Sequence, residues 1–196
     1  AVSGKALLAE IEHKGDVLQG RVYAKQQDAE FGLGQQSASQ TGTRKIGAEG
    51  RYKVSEKTSV DALMYREENL NNQATRDVTE ANVNYKQDSY TLSAGARLAR
   101  DKDSTGQAQD SDLLLLGATK TFLENKLRLR AKSENALSSS DASTDYPSRY
   151  IIGADYDMTS AIEVYLEKVW TMGDAQNTEM TRHGLRTFQW VGANVQ

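Results

Sequence analysis

The sequence predicts an all-β chain whose antiparallel strands follow one another up and down through a single sheet. Three observations predict it. Apolar and polar residues alternate with period two, short polar turns join the alternating runs in pairs, and longer polar segments separate the pairs. Leu18, Gly20, Val22 and Ala24 fall on one face, against Gln19, Arg21, Tyr23 and Lys25. The split recurs in Ile46, Ala48, Gly50, Tyr52 against Lys45, Glu49, Arg51, Lys53, and in Leu92, Ala94, Ala96, Leu98 against Ser93 and Arg97. Leu127, Leu129 and Ala131 oppose Arg128, Arg130 and Lys132; Ile162, Val164 and Leu166 oppose Glu163, Tyr165 and Glu167.

Taken in order, strands are expected near 5–13, 17–26, 43–54, 58–67, 77–87, 89–100, 112–122, 126–134, 148–158, 161–170 and 182–195. All exceed the ~5–6 residues of a globular strand, and they suit the ~9–11 of a tilted membrane strand. Lys14-Gly15, Gln87-Asp88 and Glu124-Asn125 read as two-residue hairpin turns, with Gly, Asp or Asn where positive φ is needed. Around Glu56 and around Thr159-Ser160 the parity of the faces demands an odd-length turn. The segments between pairs, Gln27–Gly42, Glu68–Arg76, Asp101–Asp110, Asn135–Pro147 and Thr171–Thr181, read as polar loops. The whole of 1–196 is thus one domain, or one segment of a larger barrel.

Composition narrows the classes. Apolar residues make up 38% of the chain, few for a globular core, yet their ordering speaks against disorder. A net charge of −3 offers nothing to nucleic acid. The longest apolar run, Leu113–Leu116, is far short of the ~18–20 residues of a membrane helix. No cysteine supplies a disulfide or a thiolate ligand, and the single proline, Pro147, lies outside the expected strands.

A soluble sandwich also alternates, so three further features decide for a membrane. Short turns gather at one end of the sheet and long loops at the other. On the apolar face Tyr52, Tyr85, Tyr90, Phe122 and Tyr156 lie close to the short turns, whereas Tyr150 and Trp170 lie at the opposite end. Two such rows make an aromatic girdle. The polar face is dense in charge of both signs. This unit, with Tyr at the turn and alternating Ala, Gly and Leu, resembles Gram-negative outer-membrane β-barrels generally. The resemblance implies an antiparallel up-and-down transmembrane β-barrel in a bacterial outer membrane, with lipid and lipopolysaccharide against its outside. Other chains or upstream domains of the same protein are further candidate partners. The implied role is a pore, or a translocation or anchoring unit, for solute or polypeptide. The alternatives are a plugged structural anchor and a soluble antiparallel sheet that binds a partner. Such barrels commonly end on an aromatic residue; this chain ends Gly-Ala-Asn-Val-Gln196.

Parity assigns Arg21, Lys25, Arg51, Arg97, Arg128, Arg130, Lys132, Glu163 and Glu167 to the lumen, together with Lys45, Lys53, Lys86 and a comparable number of carboxylates. Arg128, Arg130 and Lys132 form a basic stripe, Glu163 and Glu167 an acidic one two strands on. Either they pair and stiffen the wall, or they set a transverse field across a water-filled passage. Asp155 and Asp157, two apart on one face, could hold a cation. His13 and His183 lie in no catalytic or metal-binding spacing, and Gly32-x-Gly34 lacks the strand-to-helix setting of a phosphate loop. No catalysis, cofactor or metal is expected. Eleven up-and-down strands start and end in the same direction, so at least one more strand, from before Ala1 or from another chain, is expected to close the cylinder.

Overall fold

The computed structural model describes residues 4–31, 42–137, 146–173 and 177–187. They form eleven strands: β1 (Ala6–Lys14), β2 (Leu18–Gln27), β3 (Thr43–Lys53), β4 (Thr58–Asn69), β5 (Thr75–Gln87), β6 (Tyr90–Lys102), β7 (Ala108–Phe122), β8 (Leu127–Ala136), β9 (Ser148–Thr159), β10 (Ile162–Met172) and β11 (Asn177–Thr187). All belong to one sheet whose spatial order is the chain order, every neighbouring pair antiparallel. This is the up-and-down sheet that the alternation predicts. Among the described residues β1 and β11 pair on one side only.

The ladders run further toward the loops than the apolar pattern does. β7 begins at Ala108, pairing Lys102 with Ala108, and β11 begins at Asn177, pairing Met172 with Asn177. Polar residues serve there because ladder bonds need only backbone, and an apolar side chain is needed only where a face meets lipid. The expected loops 101–110 and 171–181 shrink accordingly, and the last strand starts five residues before its expected position at 182. Its expected extension to 195 lies outside the described residues, as do Gly32, Gly34 and most of the loops expected at 27–42 and 135–147.

Turn positions follow the sequence with small displacements, but of the three expected hairpin turns only the one at Glu124-Asn125 shows the expected positive φ. Leu123, Glu124 and Asn125 have φ of 53°, 54° and 71°, a run of positive φ that turns the chain between the pair Phe122 and Leu127, and Lys126 N donates to Leu123 O at 3.1 Å. The first turn centres on Asp16-Val17 rather than Lys14-Gly15, with Gly15 N donating to Leu18 O. That register sets Glu12 opposite Arg21 and Ile11 opposite Val22, like with like on each face. The third turn centres on Asp88-Ser89 because Gln87 pairs with Tyr90. Neither displacement moves a side chain to the other face. Around Glu56 the turn is odd, spanning the residues between the pair Lys53 and Ser59. Between β9 and β10 oddness is achieved differently: a bulge lets Ile162 face Thr159 while Glu163 faces Asp157.

Burial shows which face is inside. The buried apolar residues are Val78, Ala99, Leu113, Leu115 and Val169, and the register puts all five on the charged face. The apolar face stays open: Ile46, Met64, Leu98, Ile152 and Leu166 are each more than 50% exposed. A sandwich would bury that face under a second layer, and the described residues supply none.

Candidate functional site: the charged face

Adjacent strands put opposite charges in register, and arginine makes most of the pairs. Arg21 Nε donates to Glu49 at 2.7 Å and Arg21 approaches Glu10 at 3.5 Å. Arg51 holds Asp61 through two bonds, 2.5 and 3.0 Å, and Arg76 holds Asp101 likewise at 2.6 and 3.1 Å. Arg97 donates to Glu80 at 2.7 Å and reaches past β7 to Glu134 at 3.5 Å. The planar guanidinium, with donors in a fixed fork, suits a carboxylate on the next strand and leaves a second edge for another.

The densest cluster spans β8 to β11. Arg130 donates to Asp155 at 2.8 and 3.2 Å and, over β9, to Glu167 at 3.4 Å. It reaches that far because Gly153 lies beneath it; a Cβ there would meet Arg130 Nη2 at 2.9 Å. Arg186 bonds Glu163 and stands 3.7 Å from Asp155, Arg182 is 3.7 Å from Glu167, and Arg128 is 3.8 Å from Glu163. Asp155 and Glu163 are among the buried polar residues, and no buried side-chain polar atom lacks a partner among the described residues. The two stripes read from the sequence are therefore joined through Asp155. Asp155 is committed to guanidinium, which removes one half of the pair whose spacing was compatible with a cation.

The nine singled-out charges all lie on this face, as the register with their neighbours shows. Arg21, Arg51, Arg97, Arg128, Arg130, Glu163 and Glu167 are in ion pairs; Lys25 and Lys132 make none among the described residues. Sequence reasoning missed Arg182 and Arg186. Their four-residue spacing matches that of Glu163 and Glu167 on β10, and pairing 163 with 186 and 167 with 182 would have revealed them. It also missed the tyrosines that cover cations: Tyr23 under Arg21 at 5.3 Å, Tyr65 under Lys45 at 3.8 Å, and Tyr165 under Arg186 at 4.4 Å.

One residue from a loop joins this face. The ring of Tyr146, two residues before β9, lies 5.3 Å from the guanidinium of Arg76 and 5.8 Å from that of Arg97. Its hydroxyl is bonded to Tyr65 on β4, so this one side chain touches residues of β4, β5 and β6. Burial, then the Tyr65 hydrogen bond, pushes this hydroxyl's pKa well above the ordinary tyrosine value. Val78, Ala99, Ser111 and Leu113, on β5–β7, are buried, whereas the turn-side parts of β1–β5, from Glu12 to Asn82, line an open concavity of about 540 Å³.

The girdle residues lie on the opposite face. Phe122, Leu127, Tyr156 and Val164 are register neighbours near the short turns. Tyr85 and Tyr90 meet at 6.1 Å, and Tyr52 ends the same row beside Leu18 and Val60. Tyr150 and Trp170 pair at the loop end. The outward face is not wholly apolar: Lys120 lies 5.1 Å over Phe122, and Lys168 lies 5.8 Å over Trp170 and bonds Glu179. Both ammonium groups reach toward girdle rings, as lysines do beside an apolar band. His13 and His183 also face outward, and the described residues hold no group of three or more potential metal ligands.

No family model matches the chain, and no curated protein does. Solved structures do match in shape. An anion-selective porin from Comamonas acidovorans superimposes with a TM-score of 0.66 at 11% identity, over 92% of this chain and 58% of that one. A loop-deletion mutant of OmpT, an outer membrane protein of Vibrio cholerae, gives 0.63 at 13% identity, over 92% and 62%. A mutant of Rh. blastica porin gives 0.59 at 16% identity, over 93% and 55%. The chain spans about three-fifths of the length of these barrels. Its fold is that of the outer-membrane β-barrels.

Proposed function

We propose that the chain forms wall of a water-filled pore in a bacterial outer membrane, passing hydrophilic solutes and catalysing no reaction. The observation that carries this reading is the inverted burial: charge and core lie on one face, and the other is an exposed apolar band edged by aromatics. Lipid satisfies that band, lipopolysaccharide meets its loop end, and water satisfies the charged face. Strands beyond these eleven complete the cylinder, since β1 and β11 run the same way and cannot pair antiparallel. The likeness to porins supports the same reading.

A plugged anchor is the second reading, favoured by the covered patch around Leu113 and by Tyr146 laid over Arg76 and Arg97. Single-channel recording of the refolded full-length protein in planar bilayers separates the two. Stepwise conductance is expected. A folded, heat-modifiable protein that inserts without conducting would overturn the pore and leave the anchor.

A further inference from the structure

The ion pairs of the charged face do not divide its charges evenly. Among the described residues, every carboxylate on that face of the strands is matched to a cation except Asp157. On the same face Lys25, Lys53, Lys86, Lys132 and Arg149 make no ion pair among the described residues. The chain as a whole is acidic, at −3, but much of its acid is in turns and loops, such as Asp16, Glu56, Asp88, Asp103 and Glu124. The strands' inner surface therefore has the sign opposite to that of the chain.

Paired and unpaired charges differ in reach. A guanidinium locked to a carboxylate at about 3 Å is a dipole whose field dies within a few ångströms, while a lone ammonium acts over a Debye length of roughly 8 Å. The lone cations are also spread along the passage. Lys53 and Lys86 close the turn ends of β3 and β5, Lys132 is mid-strand in β8, and Lys25 and Arg149 are near the loop ends of β2 and β9. In register, Lys53 and Lys132 lie on one row that crosses Ser59, Asn84, Ser93 and Gly117. That is five strand steps, or roughly 24 Å of wall at ~4.8 Å per strand. A solute crossing the lumen meets separate cations in succession and almost no lone carboxylate.

Resting on the pore reading, we propose that this wall selects small anionic solutes, with Lys25, Lys53, Lys86 and Lys132 as the selecting residues. The arginine pairs set the shape of the wall and leave the selection to these lysines, with the lone Arg149 adding its charge at the loop end. The test is the reversal potential of the full-length protein in planar bilayers under a KCl gradient. The wild type should pass chloride over potassium. Joint replacement of the four lysines, K25Q, K53Q, K86Q and K132Q, should bring the permeability ratio toward unity, and K132Q alone should lower it in part. Asp157→Asn should raise it, and Lys102→Gln, on the opposite face, should leave it unchanged. Heat-modifiable mobility checks that each variant is folded. A potassium-selective wild type, or a folded quadruple variant with the wild-type ratio, overturns the inference while the pore stands. A folded protein that never conducts overturns the pore reading and this inference together.

Discussion

Leu166 offers a direct test of which face meets lipid. It projects outward, 53% exposed, between Ala154 and His183. Val164, two residues nearer the turn, is level with Tyr156, and Trp170 is four residues toward the loops. At ~3.4 Å per residue and a tilt near 40°, Leu166 lies roughly 5 Å inside one aromatic row and roughly 10 Å inside the other. An arginine on a barrel's lipid face costs about 2–4 kcal/mol at the midplane and about 0–1 near the interfaces. The register gives it no acid to meet: its outward neighbours are Ala154, His183 and Lys168. Leu166→Arg should therefore cost about 2 kcal/mol, a factor of about 30 in the folded-to-unfolded ratio. Val164→Arg, at the girdle level, should cost less. Urea titration of protein folded into lipid vesicles, read by gel mobility without heating, measures both. Equal stability of Leu166→Arg and wild type would refute the assignment of this face to lipid. Detergent-free solubility of the wild type would refute the membrane altogether.

On the inner face, Asp155→Ala leaves Arg130 and Arg186 each short of a partner and should cost about 1–3 kcal/mol, discounted because both arginines are partly exposed; the same urea titration reads it. Glu163→Gln keeps an acceptor for Arg186 and should cost about 1 kcal/mol or less while shifting ion preference slightly toward anions, read as a reversal potential. Tyr146→Phe removes the hydroxyl bonded to Tyr65; ultraviolet titration of the wild type should show one tyrosine still protonated above the ordinary range, and the variant should lack it. Asp103, bonded to Thr105 Oγ1 and to the amides of Thr105 and Gln107, has its carboxyl below the ordinary range, first through Thr105. Its contribution to loop order is thus present above the ordinary carboxylate pKa and lost only as pH falls through the lowered value; amide signals of Thr105 and Gln107 should stay dispersed to lower pH in wild type than in Asp103→Ser. A protease site inserted at Gly106 should be cut on intact cells, and one at Asn125 should not; the reverse would invert the orientation.

The fold was legible because period-two alternation and turn residues are both local. Ile46, Ala48 and Tyr52 reveal their face without reference to any partner, and the odd turn after Asp157 could be inferred from parity alone. Registers were less legible, since shifting a turn by a residue or two leaves the faces unchanged. The first turn shows this: a centre at Lys14-Gly15 and one at Asp16-Val17 give the same faces, and only the pairing of Glu12 with Arg21 distinguishes them. The partnering of charges needed those registers. Asp155 looked like half of an acidic pair, because Arg130 and Arg186 approach it from opposite sides at sequence separations of 25 and 31. The covered patch was invisible for another reason: Leu113 and Leu115 belong to an unbroken Leu run, in which alternation gives no sign of which residues turn inward.

Because spatial order equals chain order, every ladder joins strands that are next to each other along the chain. Closing each one costs little loop entropy, since every pairing among these eleven strands is with a neighbour in the chain. The sheet can therefore lengthen hairpin by hairpin, with Arg21–Glu49 or Arg51–Asp61 neutralised as soon as two strands meet. Arg97–Glu134 and Arg130–Glu167 are different, since each bridges alternate strands and forms only when the strand between is in place. They reward correct growth by three strands rather than two, and a slipped hairpin forfeits them. Growth always leaves a leading edge of bare amides and carbonyls, which sticks to other chains in water and is very costly in lipid. In a bilayer the open edges of β1 and β11 stay costly until the cylinder closes, so anything that offers a strand edge in return would hasten the folding of this wall.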